Sequence, residues 1–235
     1  MKISEDFYSV QGEGISQGVP AYFIRLQGCN LNCVWCDTTE VWKKGKETSN
    51  EELEERIKNS GQMDNILEGT AHIVWTGGEP TLPQNQNAIR SFLDYLNHHY
   101  PSNNIYNEIE TNGTIKVNNT FLENYIQQVN CSPKLSNSQM PIKRRINPNA
   151  LEQIRNHENS WFKFVISSEK DIFEMEEDYI NPFHIKKSKI ILMPESDSLK
   201  TLPEKTQLCY ELSKKYGYRT ITRGHILAWN KKTEV

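Results

Sequence analysis

Three of the five cysteines in this chain fall within eight residues, as Cys29, Cys33 and Cys36 of the run Gly28-Cys29-Asn30-Leu31-Asn32-Cys33-Val34-Trp35-Cys36-Asp37-Thr38. Thiolates on one short loop can converge on one metal centre, and soft sulfur selects zinc, copper(I) or an iron–sulfur cluster. A closed zinc site wants a fourth ligand. None stands out, because Cys131 and Cys209 are isolated and His72 lies inside an apolar run. Three cysteines suit a four-iron cluster whose remaining iron is open to a small molecule. A zinc site completed by a distant residue stays open on spacing alone. The second motif is Gly77-Gly78-Glu79-Pro80, where two glycines allow close approach of backbone to a ligand and Pro80 stiffens the turn.

These motifs need elements to aim them. The apolar run 21–26 predicts a strand that feeds directly into the cysteine loop, and 71–75 predicts a second strand that feeds the Gly-Gly-Glu-Pro turn. Ser49 and Glu52 have capping-box spacing before a helix with Leu53 and Ile57 on one face. Ile89, Phe92, Leu93, Leu96 and Tyr100 predict an amphipathic helix over 84–100. Strands follow at 105–109 and 129–131 around a helix at 120–128, then strands at 161–166 and 189–193 around a helix near 168–179. A helix at 203–216 starts at Pro203 and stops at Gly217. Residues 218–222 and 225–229 read as extended. The polar stretch 135–160 reads as an insertion or mobile loop. Strands alternating with helices predict an α/β fold with a mainly parallel sheet, curved or open, in one domain over 1–235.

Composition excludes several classes. The chain has 235 residues, 36% apolar and 24% charged, with a net charge of −3. That balance speaks against a nucleic-acid partner held by phosphate neutralisation. No apolar run reaches the roughly 18–20 residues of a membrane span, and the first residues lack a signal peptide's apolar segment. A cytoplasmic protein is expected, in which clustered cysteines mean metal or redox chemistry rather than disulfides.

Cys29, Cys33 and Cys36 after one strand, with the Gly-Gly-Glu-Pro turn after the next, resemble the signatures of radical S-adenosylmethionine (SAM) enzymes. Ser9-Val10-Gln11-Gly12-Glu13-Gly14, Phe23-Ile24-Arg25-Leu26-Gln27-Gly28-Cys29, Trp35-Cys36-Asp37-Thr38, Glu110-Thr111-Asn112-Gly113, Ser132-Pro133-Lys134 and His225-Ile226-Leu227-Ala228-Trp229 narrow the resemblance to the 7-carboxy-7-deazaguanine synthase family. The resemblance implies a partial, open TIM-like barrel. It also implies a lyase that turns 6-carboxy-5,6,7,8-tetrahydropterin into 7-carboxy-7-deazaguanine with loss of ammonia, in queuosine and 7-deazapurine biosynthesis. Cys29, Cys33 and Cys36 would hold a [4Fe–4S] cluster, and Thr38 would bind Mg²⁺. SAM would meet Gly78 and Glu79, Ser132, Pro133 and Lys134, and the segment Met193, Pro194, Glu195 and Ser196, although Met193 and Glu195 depart from the family's commoner glutamine-containing stretch. The pterin would meet Val10, Gln11, Gly12, Arg25, Thr76, Glu110 and His225, with Arg25 facing its carboxylate. A structural ion pair is the plainer reading of Arg25. The resemblance further implies a homodimer and an electron donor such as flavodoxin or ferredoxin.

Two other functions compete, an activase for a glycyl-radical enzyme and a non-catalytic iron–sulfur or zinc-binding module. His72, His98, His99, His157 and His184 read as packing or surface residues, and Lys143-Arg144-Arg145 as a solvated loop.

Overall fold

The computed structural model describes residues 1–234. Nine strands form one sheet: β1 (Lys2–Val10), β2 (Pro20–Leu26), β3 (Lys46–Glu47), β4 (His72–Gly77), β5 (Asn107–Thr111), β6 (Gln128–Cys131), β7 (Ser160–Ile166), β8 (Ile190–Pro194) and β9 (Arg219–Thr220). Their spatial order is β3-β1-β2-β4-β5-β6-β7-β8-β9. β1 is antiparallel to β2 and β3, and every other pairing is parallel. β3 and β9 are the two edges, so the barrel stays open. Parallel neighbours need crossovers, and helices supply them.

Side chains alternate across each strand. Ile24 and Leu26 of β2, Ile73 and Trp75 of β4, and Phe162 and Phe164 of β7 pack outward against the helices in one core. Trp75 and Phe92 meet edge to face, with centroids 6.0 Å apart, and each fully buried side chain of this kind contributes about 1.5–3 kcal/mol. The inward side of the same strands carries Phe23, Arg25, Thr76, Glu110, Lys163 and Val165 to a cavity. Near the N-terminal ends of β4–β6, Glu108 is fully buried; it accepts from Gln128 at 3.0 Å and Asn130 at 2.8 Å and pairs with His72. His72 is therefore a satisfied packing residue.

The helix Asn50–Asn59 starts at a complete Ser49–Glu52 capping box. Pro83–His99 buries Ile89, Phe92, Leu93 and Leu96 as the periodicity predicts. Leu202–Tyr216 stops at Gly217, whose φ of 71° lies in the left-handed region that favours glycine. Among the described residues no helix is long and apolar enough to cross a membrane.

Several expectations change. The strand at 105–109 lies two residues later, at Asn107–Thr111. The helix at 120–128 is the shorter Asn119–Tyr125, capped by Asn118, and Gln128 already belongs to β6. Residues 225–229 are not extended: Gly224–Trp229 is a helix that buries Ile226 and exposes Leu227. A five-residue apolar run carries no period that separates strand from helix. The polar stretch 135–160 holds the helices Ile142–Arg145 and Pro148–Asn156, the second capped by Asn147 with Leu151 and Ile154 in the core. Its few apolar residues lie at helical spacing, which the surrounding polar residues hid. Arg145, expected in a solvated loop, is buried between Glu174 at 2.8 Å and Asp178 at 3.4 Å.

Candidate active site

The C-terminal ends of parallel strands point one way, so the loops leaving them gather at one rim, the usual place for a site in such folds. Here they surround a cavity of about 580 Å³. The cysteine loop leaves β2. Leu31 is buried and anchors it. Asn30 donates to Thr114 Oγ1 at 2.7 Å and accepts from Asn112 at 2.9 Å, while the Val34 N–H donates to the Ser138 carbonyl at 3.1 Å. Loops after β5 and β6 thus fix the shape of the first.

All three cysteines of the loop are free, half-buried and face the cavity. Burial pushes the Cys29 thiol up to about 11 and raises Cys33, and the Lys134 ammonium pulls both down. Burial also acts on Cys36, but hydrogen bonds involving Thr39, Thr38 and Trp42 outweigh it and hold that thiol below its usual range. Lys134 stacks over Trp35, 5.2 Å from the ring centroid. Among the described residues no three His, Cys, Asp or Glu side chains are spaced to hold a single metal ion. Three soft donors spread around one loop fit the corners of an iron–sulfur cubane better than one zinc. Cys131 and Cys209 are buried and stand outside the cavity.

The turn after β4 touches this loop. Gly77 has φ 106°, and a Cβ on Gly78 would lie 1.7 Å from the Gly28 carbonyl oxygen, so only glycine fits. The Glu79 N–H donates to that same carbonyl at 2.7 Å. The Glu79 carboxylate, at the cavity wall, accepts from the Thr81 N–H at 2.9 Å, Thr111 Oγ1 at 2.7 Å and the Asn112 N–H at 2.8 Å. It ties the turn to the end of β5. The backbone of Gly77 and Gly78 is what the turn presents to a ligand.

The opposite wall is charged. Lys163, buried on β7, donates to Glu13 at 2.7 Å and to Glu110 at 3.1 Å. Arg223 donates to Glu13 at 2.8 Å, to Asp37 at 2.6 Å and to the Ser196 carbonyl at 2.6 Å. Gln11 donates to Glu110 at 3.4 Å and accepts from the Glu13 N–H at 3.2 Å. Burial raises the Glu13 carboxyl, yet Lys163, Arg223 and His225 together hold it well below the carboxylate range. Burial dominates at Glu110 and, with the Glu13 charge, raises it despite Lys163. Lys163 pays a desolvation cost but the two carboxylates keep it charged. His225 Nε2 lies 3.9 Å from Glu13, and burial lowers the imidazole pKa. Nearby, Arg25 lies 2.7 Å from Glu5, out of line for a hydrogen bond, and over the Phe7 ring at 5.6 Å.

Comparison with known proteins fits this geometry. Residues 23–158 match the Radical SAM superfamily. A 7-carboxy-7-deazaguanine synthase from Aquifex aeolicus is 33% identical over 230 residues, spanning 95% of this chain and 91% of the relative. One from Pyrobaculum aerophilum is 30% identical, spanning 97% and 95%. The chain belongs to the 7-carboxy-7-deazaguanine synthase family of radical SAM enzymes. The crystal structure of QueE from Escherichia coli superposes with a TM-score of 0.66 at 27% identity, covering 95% of this chain and 94% of that one. A more distant structure, native anSMEcpe with bound AdoMet, has a TM-score of 0.56 at 18% identity and shares the fold. As a member of the family, the chain is a radical SAM enzyme that works with an iron–sulfur cluster and SAM. The activase and the non-catalytic module are not favoured.

Nearly every residue singled out from the sequence lines the one cavity. Val10, Gln11 and Gly12 leave β1, with Gly12 against His225. Thr76 and Glu110 stand at the ends of β4 and β5, and Thr38 Oγ1 lies 3.6 Å from Cys36 Sγ. Lys134 donates to Ser132 Oγ at 2.9 Å, and both reach the cavity; Pro133 is buried and does not line it. Met193, Pro194, Glu195 and Ser196 line it at the end of β8. The sequence reading missed Glu13, Lys163, Asp37 and Arg223 as site residues. One signal was available: a lysine inside the apolar strand Trp161-Phe162-Lys163-Phe164-Val165-Ile166.

Proposed function

We propose that this chain converts 6-carboxy-5,6,7,8-tetrahydropterin to 7-carboxy-7-deazaguanine and ammonia. The observation that carries the reading is one cavity with two unlike walls, three cysteines on one side and the Glu13–Lys163–Glu110 array beside Arg25 on the other. Cys29, Cys33 and Cys36 would hold a [4Fe–4S] cluster, which together with SAM would supply the radical chemistry the conversion needs. The protein's part is to bind, orient and keep water out, since a radical in an open site reacts with whatever is near.

Gly78 and Glu79 of the turn, Ser132, Lys134 and the segment Met193–Ser196 form the SAM side, and the buried Pro133 between Ser132 and Lys134 does not reach it. Backbone carbonyls at Gly77 and Gly78 suit the amino group of SAM, because no side chain stands in the way and the Gly78 N–H already donates to the Leu26 carbonyl at 3.0 Å. Arg25 meets the substrate carboxylate, and Glu5 then serves as its partner in the free enzyme. Glu13 and Glu110 accept from the ring's N–H groups, while the Gln11 amide matches a mixed donor and acceptor edge. Thr76 and His225 complete the pterin wall. Thr38 would offer its hydroxyl oxygen to Mg²⁺, which would supply positive charge for an anionic group of the substrate. The working form is a cytoplasmic homodimer of one-domain subunits, reduced by a flavodoxin or ferredoxin.

Anaerobic reconstitution with iron and sulfide, followed by SAM cleavage, tests the cluster wall. Wild type binds iron and sulfide and releases 5′-deoxyadenosine, whereas Cys33→Ala releases none. Full cleavage by Cys33→Ala would overturn the assignment.

A further inference from the structure

A second cavity, of about 420 Å³, lies at the other end of the sheet and shares no residue with the first. It opens where the helix Pro148–Asn156 ends, where β7 begins and where the chain enters β8. Arg155, His157, His184, Lys186 and Lys189 all line it, and Glu158 is the one acid beside them. Elsewhere cations pair with carboxylates, as Lys58 does with Glu54 and Lys215 with Glu169. Among the described residues none of these five does. Arg155 donates to the Phe183 carbonyl at 3.2 Å and to Asn156 Oδ1 at 2.9 Å. Lys189 lies over the Trp161 ring at 4.5 Å and donates to the Glu158 backbone carbonyl at 3.4 Å. His157 Nε2 is tied to the Ile126 carbonyl at 3.2 Å. The side chains of His184 and Lys186 have no polar partner among the described residues. Two further features point to a ligand. Ser160 is 3% exposed and lines the cavity beside Phe162, yet its hydroxyl has no hydrogen-bond partner among the described residues. A hydroxyl so placed normally finds one. His184 has φ 50°, a left-handed conformation that glycine would adopt more readily, and its ring makes no contact within the protein that offsets the strain.

We infer that this second cavity binds a small phosphorylated molecule of nucleotide size. Arg155, Lys186 and Lys189 meet the phosphates, Ser160 and His184 add hydrogen bonds, and Phe162 with Ile185 forms the apolar floor. A phosphate group fits this donor set better than a single carboxylate does. It carries more than one negative charge and offers several oxygens to a guanidinium fork and two ammonium groups at once. The volume decides the size of the ligand. Small-molecule sites span roughly 300–1,000 Å³, so a nucleotide fills this cavity and a bare phosphate does not. A long polyanion would also meet the field of a chain whose net charge is −3, which a small anion held among these cations escapes.

Calorimetry of the cluster-loaded protein tests this with uridine 5′-diphosphate as the probe and uridine as the uncharged control. Saturating SAM keeps the first cavity occupied, and Mg²⁺ is left out so that the phosphates stay free. The diphosphate should bind about tenfold or more tightly than uridine. Lys186→Gln, whose side chain has no partner to lose, should weaken the diphosphate about threefold or more while SAM binding and Tm stay as in wild type. The double variant Arg155→Gln/Lys186→Gln should weaken it about thirtyfold. Should the lost Phe183 contact lower the Tm of the double variant, Lys186→Gln alone decides. Lys143→Gln, an exposed lysine elsewhere, should bind as wild type does. Raising salt from about 50 mM to about 250 mM should weaken wild type more than the double variant. No binding of the diphosphate below about 1 mM, equal binding of uridine, wild-type affinity in Lys186→Gln, or equal weakening by Lys143→Gln would each overturn the site.

Discussion

Replacing Lys163 by methionine removes one ammonium from between two carboxylates and keeps the volume of the stem. Glu13 retains Arg223 at 2.8 Å, while Glu110 is left with the Gln11 amide at 3.4 Å. Breaking a buried ion pair costs about 3–5 kcal/mol. Arg223 and the open cavity moderate the loss here, which places the expected cost near the lower end, about 3 kcal/mol. For a chain of this size that lowers Tm by roughly 6–12 °C. The pH dependence is more telling than the size. Lys163 lowers the carboxyl pKa values of both Glu13 and Glu110. In the variant both rise, so the native state holds protons to higher pH and loses less stability on acidification. Glu110, already raised in wild type, rises further without Lys163, so its share of the gap closes above the ordinary carboxylate range, whereas the Glu13 share closes only below that range. The Tm gap between wild type and Lys163→Met should therefore be wide at about pH 8 and narrow toward about pH 5. Anaerobic scanning calorimetry of the cluster-loaded proteins measures it. A gap that does not change with pH would refute the electrostatic role of Lys163, and an unchanged Tm would refute its burial between the two carboxylates.

Other positions give independent checks. Gly78→Ala should displace the start of the cysteine loop, because its Cβ would sit 1.7 Å from the Gly28 carbonyl oxygen; iron content after reconstitution should fall well below wild type, and a normal iron load would contradict the contact. Arg25→Ala should weaken pterin binding by about 2 kcal/mol, roughly thirtyfold in Kd, with SAM binding little changed. Equal loss of both ligands would remove Arg25 from the carboxylate site. Thr38→Ala should shift the Mg²⁺ concentration needed for half-maximal rate upward, and an unchanged titration would take Thr38 out of the metal site.

What the sequence disclosed depends on whether a feature is local. Cys29, Cys33 and Cys36, and Gly77, Gly78 and Glu79 of the turn, belong to contiguous runs, each placed by the strand just before it, and all six reach the cavity. The amphipathic helix Pro83–His99 spans enough turns for its period to be unmistakable. The charged wall is different. Glu13, Glu110, Lys163 and Arg223 come from β1's exit, β5, β7 and the approach to the last helix, and only the curvature of the sheet brings them together. Arg145 was misread for the same reason, since Glu174 and Asp178 lie in the next crossover. Arg25 combines both readings: it faces the cavity as expected and also holds an ion pair with Glu5. The Glu79 carboxylate shows the opposite limit, because the motif was legible but the direction of its side chain was not.

The central claim is that one cavity unites a radical-generating wall with a pterin-binding wall. Incubating the reconstituted protein anaerobically with SAM, dithionite, Mg²⁺ and 6-carboxy-5,6,7,8-tetrahydropterin, and reading the mixture by mass spectrometry, tests it most directly. The account predicts 7-carboxy-7-deazaguanine and ammonia in equal amounts, because the conversion is redox-neutral and the hydrogen taken from the pterin is returned. Release of 5′-deoxyadenosine without 7-carboxy-7-deazaguanine would contradict the assignment of the Glu13–Lys163–Glu110 wall to the pterin.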